Sequence, residues 1–234
     1  MTLRAALPLA LLLLMPAAAH ADDWSGQASL TGSRNTGNTQ TTDVGLGLEL
    51  DHVDGPWRQR FDATVDYGDA AGERNKERYT LGYQLERTVN DRLFVFGDAD
   101  YFFDTFGSFR EGAFFGAGLG YDVLVDEPLA WSVTAGLGYR LQESALFERS
   151  ESVAGRVASD FDWQINDNVS FFNDSEALIS EPNTYLWNES GLTAELFGNL
   201  AARVSFRVDH NTSVPAGQVK TDTVTRVGIV YTME

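Results

Sequence analysis

The stretch Leu129-Ala130-Trp131-Ser132-Val133-Thr134-Ala135-Gly136-Leu137-Gly138-Tyr139-Arg140-Leu141 decides the fold class. Its odd positions are Leu, Trp, Val, Ala, Leu, Tyr and Leu, and from Ser132 onward its even positions are Ser, Thr, Gly, Gly and Arg. Successive side chains on a strand point to opposite faces, so as a strand this segment has one apolar and one polar face. The same period of two runs through Thr42 to Asp51, Trp57 to Tyr67 and Leu200 to Asp209. No stretch carries a helical period.

Breakpoints between these segments alternate in kind. Short turns are read at Asp54-Gly55-Pro56, Asn90-Asp91, Asp126-Glu127-Pro128, Asn166-Asp167 and Gly198-Asn199. Longer polar loops are read between them, at Arg34 to Thr39, Gly68 to Lys76, Thr105 to Ser108, Gln142 to Ser150, Ser180 to Thr184 and Thr212 to Lys220. Five turns and six loops make eleven connections and about twelve strands, an even number. Strands of roughly 10 to 15 residues result, longer than the usual 5 or 6 of soluble proteins.

Composition narrows the function classes. The 234 residues hold 34 Asp and Glu against 17 Lys and Arg, a formal charge of −17, and no cysteine. A disulfide framework, a thiolate metal site and a thiol nucleophile are therefore excluded. The net charge argues against nucleic acid as a partner. Residues 1–21 read as a cleaved secretory signal: Arg4 supplies the positive start, Leu7 to Met15 the apolar core, and Ala19-His20-Ala21 the cleavage site. That core is too short to span a bilayer, which takes about 20 residues. Residues 22–234 then form one exported domain.

Two architectures use long alternating strands. A soluble sandwich buries its apolar faces, whereas an outer-membrane barrel turns them toward lipid. The aromatic residues favour the barrel. Trp57 and Tyr67 lie on the apolar face at opposite ends of one strand, and Trp131 with Tyr139 repeats the arrangement. Ten residues at a tilt near 40° span roughly 25 Å, the height of the lipid-facing band. Trp and Tyr favour both membrane interfaces. The expectation is an all-β, antiparallel transmembrane β-barrel of about 12 strands, outer-membrane type, monomeric, with both termini periplasmic. Its partners would be outer-membrane lipid and lipopolysaccharide, and the barrel-assembly machinery during insertion.

Thr36-Gly37-Asn38-Thr39, Pro56-Trp57-Arg58, Gly116-Ala-Gly-Leu-Gly-Tyr121, Ala135-Gly-Leu-Gly-Tyr139 and the ending Lys220-Thr-Asp-Thr-Val-Thr-Arg-Val-Gly-Ile-Val-Tyr231 occur in an order that resembles the YdiY-like salt-induced outer-membrane proteins, domain of unknown function 481. The resemblance runs from about Trp24 to Met233. It implies a Gram-negative outer-membrane barrel and carries over no catalytic residue or cofactor. Such barrels commonly end in an aromatic residue, whereas this chain ends Tyr231-Thr-Met-Glu234. Recognition during assembly would then rest on Tyr231 and Met233.

With apolar positions outward, the lumen receives Arg58, Arg60, Arg78, Arg140, Arg156, Arg203, Arg207 and Arg226 together with Asp62, Asp66, Glu86, Asp98, Asp100, Asp160, Asp162 and Asp222. Such a set suits either a pore with selective charge rings or an interior cross-linked by ion pairs. The turn at 126–128 predicts that Gly116 and Gly118 pair with Gly138 and Gly136 as a bare patch of inner wall. Phe94 and Phe96 would point inward near it, covering backbone or narrowing the lumen. Enzyme signatures are absent: His52 and His210 lack the His-x-Ser spacing of a barrel lipase, and the glycine runs lack the helix that a nucleotide loop needs. Two functions follow from this reading, a narrow passive channel for small polar solutes or ions and a non-conducting structural or stress-responsive envelope protein. A lipid-modifying barrel enzyme is a distant third.

Overall fold

The computed structural model describes residues 24–36, 41–70 and 73–233. The signal segment 1–21, the tip of the first loop with Gly37, Asn38 and Thr39, and Glu234 lie outside the described residues. Twelve strands follow one another: β1 (Trp24–Thr36), β2 (Thr41–Asp54), β3 (Trp57–Ala70), β4 (Glu73–Thr88), β5 (Leu93–Asp104), β6 (Phe109–Leu124), β7 (Leu129–Ser144), β8 (Arg149–Asn166), β9 (Val169–Ser180), β10 (Tyr185–Phe197), β11 (Leu200–Asn211) and β12 (Thr221–Met233). Each pairs antiparallel with the next, and β12 closes on β1 to leave no free edge. Closure gives every strand a hydrogen-bonded neighbour on both sides, the condition for a sheet to stand in hydrocarbon.

The register places the alternation inside-out. Leu46, Leu81, Phe115, Leu119, Leu137, Val153 and Val227 are exposed on the outer face, while Asp43, Asp66, Lys76, Glu86, Asp98 and Arg140 are buried. The buried apolar residues of the interior are few, with Phe114, Ala154 and Leu178 packed together and Tyr185 against them. Register shifts fall near strand ends, at 68/69, 109/111, 122/124, 164/166 and 195/197, so the two-residue period is unbroken across the middle of the wall. This is an outer-membrane-type barrel in which lipid replaces the missing apolar core.

The connections are shorter than the sequence implied. The segments read as loops at Gly68 to Lys76 and Gln142 to Ser150 are largely strand: Gly68 pairs with Lys76, Asp69 with Arg74, and Gln142 with Ser150. Among the described residues only 212–220 form a long connection. At the opposite rim, which also carries the first and last strand ends, Gly55 and Gly198 open two-residue turns at φ 56° and 54°. A side chain there would be strained, which is why glycine occupies both. We call these rims the loop end and the terminal end.

The terminal rim carries outward aromatic residues on both halves of the barrel: Trp24 stacked on His52 at 4.7 Å, Trp57 under Arg87 at 5.5 Å, Trp131 donating to Ser159 Oγ at 3.0 Å, then Trp163 and Tyr231. At the loop end, Tyr67, Tyr79, Tyr101 and Tyr139 belt only β3 to β7. Tyr139 pairs with Val153 on β8, and the outward positions toward the loop end of β9 to β12 hold Ile179, Leu186, Val208 and Thr223, the last two paired with each other.

Candidate functional site

The inner wall divides the barrel into two materials. On β5 to β7, pairing sets Gly116 against Gly138 and Gly118 against Gly136, as the turn predicted. A β-carbon at Gly120 would fall in the Phe94 ring, one at Gly118 would meet Phe96, and those at Gly116 and Gly138 would meet Phe114. Phe102 over Gly112 and Phe172 over Gly191 repeat the device. Rings thus lie flat on bare backbone and thicken the wall without projecting. Phe94 and Phe96 are buried in this layer, and neither is among the lining residues of the two cavities described below.

The bare wall also makes room for a bridge. Arg156 on β8 reaches over β7 and β6, passing the Phe114 ring at 5.5 Å, to Asp98 and Asp100 on β5. Its Nη1 donates to Asp98 and, at 2.6 Å, to Asp100; Nε and Nη2 donate to Glu176 at 2.9 and 2.5 Å. A guanidinium presents five donors in a fixed fork, so one Arg can hold three carboxylates on two strands.

Other charges pair locally. Asp51 accepts from Arg58 at 2.8 Å and lies 3.5 Å from Arg60, whose other neighbour is Glu86 at 3.9 Å. Glu189 accepts from Arg226 at 3.1 Å and from Ser205 at 2.7 Å, with Arg207 at 3.6 Å. Arg207 also donates to Asp209 at 3.1 Å and to the Tyr185 hydroxyl at 3.1 Å, and its guanidinium lies 4.1 Å from the Trp187 ring centre. Arg203 donates to Gln27 at 2.7 Å and Thr193 at 3.0 Å. Arg140 donates to the Asn183 carbonyl at 2.8 Å.

Two cavities lie along the axis. The larger, about 690 Å³, runs from Asp51, Arg58 and Asp162 near the terminal end to Arg78, Arg140 and Tyr185. The smaller, about 130 Å³, opens at the loop end among Lys76, Asp104, Asn211 and Asp222. Arg78, Phe102, Arg140 and Tyr185 line both, and so form the neck between them.

Of the sequence-predicted lumen residues, Arg58, Arg60, Asp62, Arg78, Asp100, Arg140, Arg156, Asp160, Arg203 and Arg207 line the large cavity, as do Asp66, Asp162 and Arg226. Asp222 lies in the mouth, Glu86 is buried near Arg60, and Asp98 is buried behind Arg156. Sequence reasoning passed over Asp174, Glu176 and Glu189 and the aromatic lining Phe102, Phe114, Phe172, Tyr185 and Trp187. Among the described residues no group of three or more His, Asp or Glu side chains is placed to hold a metal ion. His52 lies against Trp24 on the outer face, and His210 bonds Thr221 at 2.8 Å.

A family model described as "Protein of unknown function, DUF481" matches residues 28–233. The chain belongs to this family. Its relatives include the "Uncharacterized protein YdiY" of Escherichia coli (strain K12), 24% identical over 162 residues, a match covering 69% of this chain and 64% of that protein, just under two thirds of its length. Among solved structures, the NanC porin superposes with TM-score 0.60 at 11% identity, covering 87% of this chain and 98% of its own. An outer-membrane channel from Pseudomonas putida F1 gives 0.53 at 9% identity, covering 90% and 95%. The translocator domain of the autotransporter NalP from Neisseria meningitidis gives 0.51 at 13% identity, covering 91% and 89%. At these identities the likeness is one of fold: the DUF481 chain shares the barrel architecture of outer-membrane channels and of a translocator.

Proposed function

We propose that this protein is a narrow passive channel for small polar solutes or ions, with passage controlled at the Arg78–Phe102–Arg140–Tyr185 neck. The observation that carries the reading is the polar cavity of about 690 Å³ leading to that neck and the smaller cavity beyond it. An ion-paired plug needs no chamber of that size. Among the described residues neither Arg78 nor Arg140 has a carboxylate within ion-pair distance, so two guanidinium groups stand at the neck, with Asp104 and Asp209 in the mouth beside it. On this reading the guanidinium pair governs selectivity, which favours small anions. The test is single-channel conductance of refolded protein in a planar bilayer under a salt gradient. Discrete steps with an anion-selective reversal potential are expected, and Arg78→Glu shifts that potential toward cations. A silent membrane containing heat-modifiable, folded barrel would falsify the channel.

A second reading draws on the Arg156 bridge, which spans the lumen between β5 and β9. If it blocks the path, the protein is a non-conducting envelope component, and the same recording returns silence that Arg156→Ala converts into steps.

A further inference from the structure

The outer face of β8 to β10 breaks the rule that the rest of the wall obeys. Ser175 pairs with Ser159 on β8 and Asn188 on β10, and Asn173 pairs with Phe161 and Ser190. Pairing partners share a face. Phe161, Val157 and Trp163 mark that face as the lipid-facing one, since the intervening Asp160, Asp162, Asp174, Glu176 and Glu189 line the lumen. Four amide and hydroxyl side chains, with Ser159 beside them, therefore stand near mid-height on the outside. Phe171 and Leu192 lie on the terminal side of the patch, and Ala177 and Leu186 on the loop side.

Hydrocarbon supplies no hydrogen-bond partner, and an unsatisfied polar group there costs several kcal/mol by order of magnitude. The patch answers part of this internally. Asn173 donates to Ser190 Oγ at 2.7 Å and Asn188 to Ser175 Oγ at 2.7 Å. The remaining bonds are long, 3.3 to 3.5 Å, to the Glu189 and Asp174 carbonyls and between Ser175 and Asn173 and Ser190 and Asn188. Each amide oxygen accepts once and retains a second lone pair.

A second observation includes this sector. The tyrosine belt at the loop end runs over β3 to β7 and stops at Tyr139, so β8 to β12 lack it, with Val153, Ile179 and Leu186 on the sector in question. A face with polar groups at mid-height and no tyrosine belt at its loop end is poorly made for lipid.

We propose that the β8–β10 outer face is the interface of a homodimer, its occupant a second copy of this chain. Two copies inserted in the same sense are related by a two-fold axis along the membrane normal, which carries each height onto itself. The Asn173–Asn188 patch of one copy therefore meets the same patch of the other. A side-chain amide is self-complementary, each N–H facing the other's oxygen, so the long bonds are exchanged for intermolecular ones. Polar side chains act as such glue between membrane segments. The monomer expected from sequence gives way to a dimer on this reading, which does not depend on whether the lumen conducts.

The chain has no cysteine, so single cysteines report contacts without background. Val157→Cys and Leu192→Cys flank the patch, and Leu81→Cys on β4 lies half-way round the barrel. In native outer membranes, mild oxidation is expected to give a band of twice the barrel mass from the first two and none from the third. The double change Asn173→Leu/Asn188→Leu, in a barrel that still shows heat-modifiable mobility, is expected to abolish that band. A band from Leu81→Cys of equal yield, a cross-link to a species of different mass, no protein cross-link at Val157→Cys or Leu192→Cys, or persistence in the double variant would each overturn the dimer.

Discussion

The two halves of this barrel solve the same problem with different chemistry. From β3 to β7 the outer face ends in a tyrosine belt and the inner face, on β5 to β7, is glycine overlaid by phenylalanine. From β8 to β12 the inner face is a lattice of arginines and carboxylates, and on β9 and β10 the outer face carries amides and hydroxyls. One half is held by shape and contact; the other by directional, charged bonds. The Arg156 bridge joins them, and it can do so because glycine leaves the first half thin. Aromatic packing fixes the wall where no charge is needed, while ion pairs fix the positions of charges around the chamber.

Breaking the bridge has the largest expected effect. Arg156→Ala strips three carboxylates of one shared cation. Removing one partner of a buried ion pair costs about 3 to 5 kcal/mol, so a fall in the urea midpoint of the folded, heat-modifiable band is expected together with a larger conductance. An unchanged midpoint would show that lumen water screens these charges. Overfilling the glycine wall comes next. Gly120→Val drives a side chain into the Phe94 ring, at about 1 to 3 kcal/mol for overpacking. Gly155→Val on the outer face of β8 meets only Leu137 at 4.0 Å and is expected to leave the midpoint in place, so equal effects from the two would erase the contrast between the faces. Removing rings rather than adding bulk separates wall from lumen: Phe94→Ala/Phe96→Ala is expected to lower the midpoint while leaving single-channel conductance unchanged. The smallest effect belongs to the belt. Tyr139→Phe loses one exposed bond to Glu151, 2.8 Å long, and a change below about 1 kcal/mol is expected by the same unfolding measurement.

The sequence reading reached furthest where the two faces differ most. Leu129 to Leu141 has lipid on one side and lumen on the other, so alternation gave its strand and its two faces, and the turn at 126–128 gave its register and its glycine pairs. It failed in two places for one reason. At Gly68 to Lys76 and Gln142 to Ser150 the strands continue with polar residues on both faces, so charge-rich strand resembled loop. On β9 and β10 the lipid-facing residues are polar too, and with both faces polar the inward parity of Asp174, Glu176 and Glu189 was invisible. The lumen arginines were legible one by one. Their partners were not, because Arg156 and Asp98 stand 58 residues apart and meet only through the curvature of the wall from β5 to β8.

The strands at the loop end have a further consequence. β8, with 18 residues, spans roughly 45 Å at the usual rise and tilt, well beyond the apolar band of roughly 25 Å. Past Tyr139 the outer face turns ionic, with Glu143 held by Arg149 at 2.8 Å. The barrel thus ends in a parapet of sheet standing clear of the lipid, with a long connection, among the described residues, only at 212–220. A reporter epitope grafted into 215–218 would be displayed without disturbing the wall. Among the described residues, whatever approaches from that side meets a rim of paired strands rather than a cover of long loops.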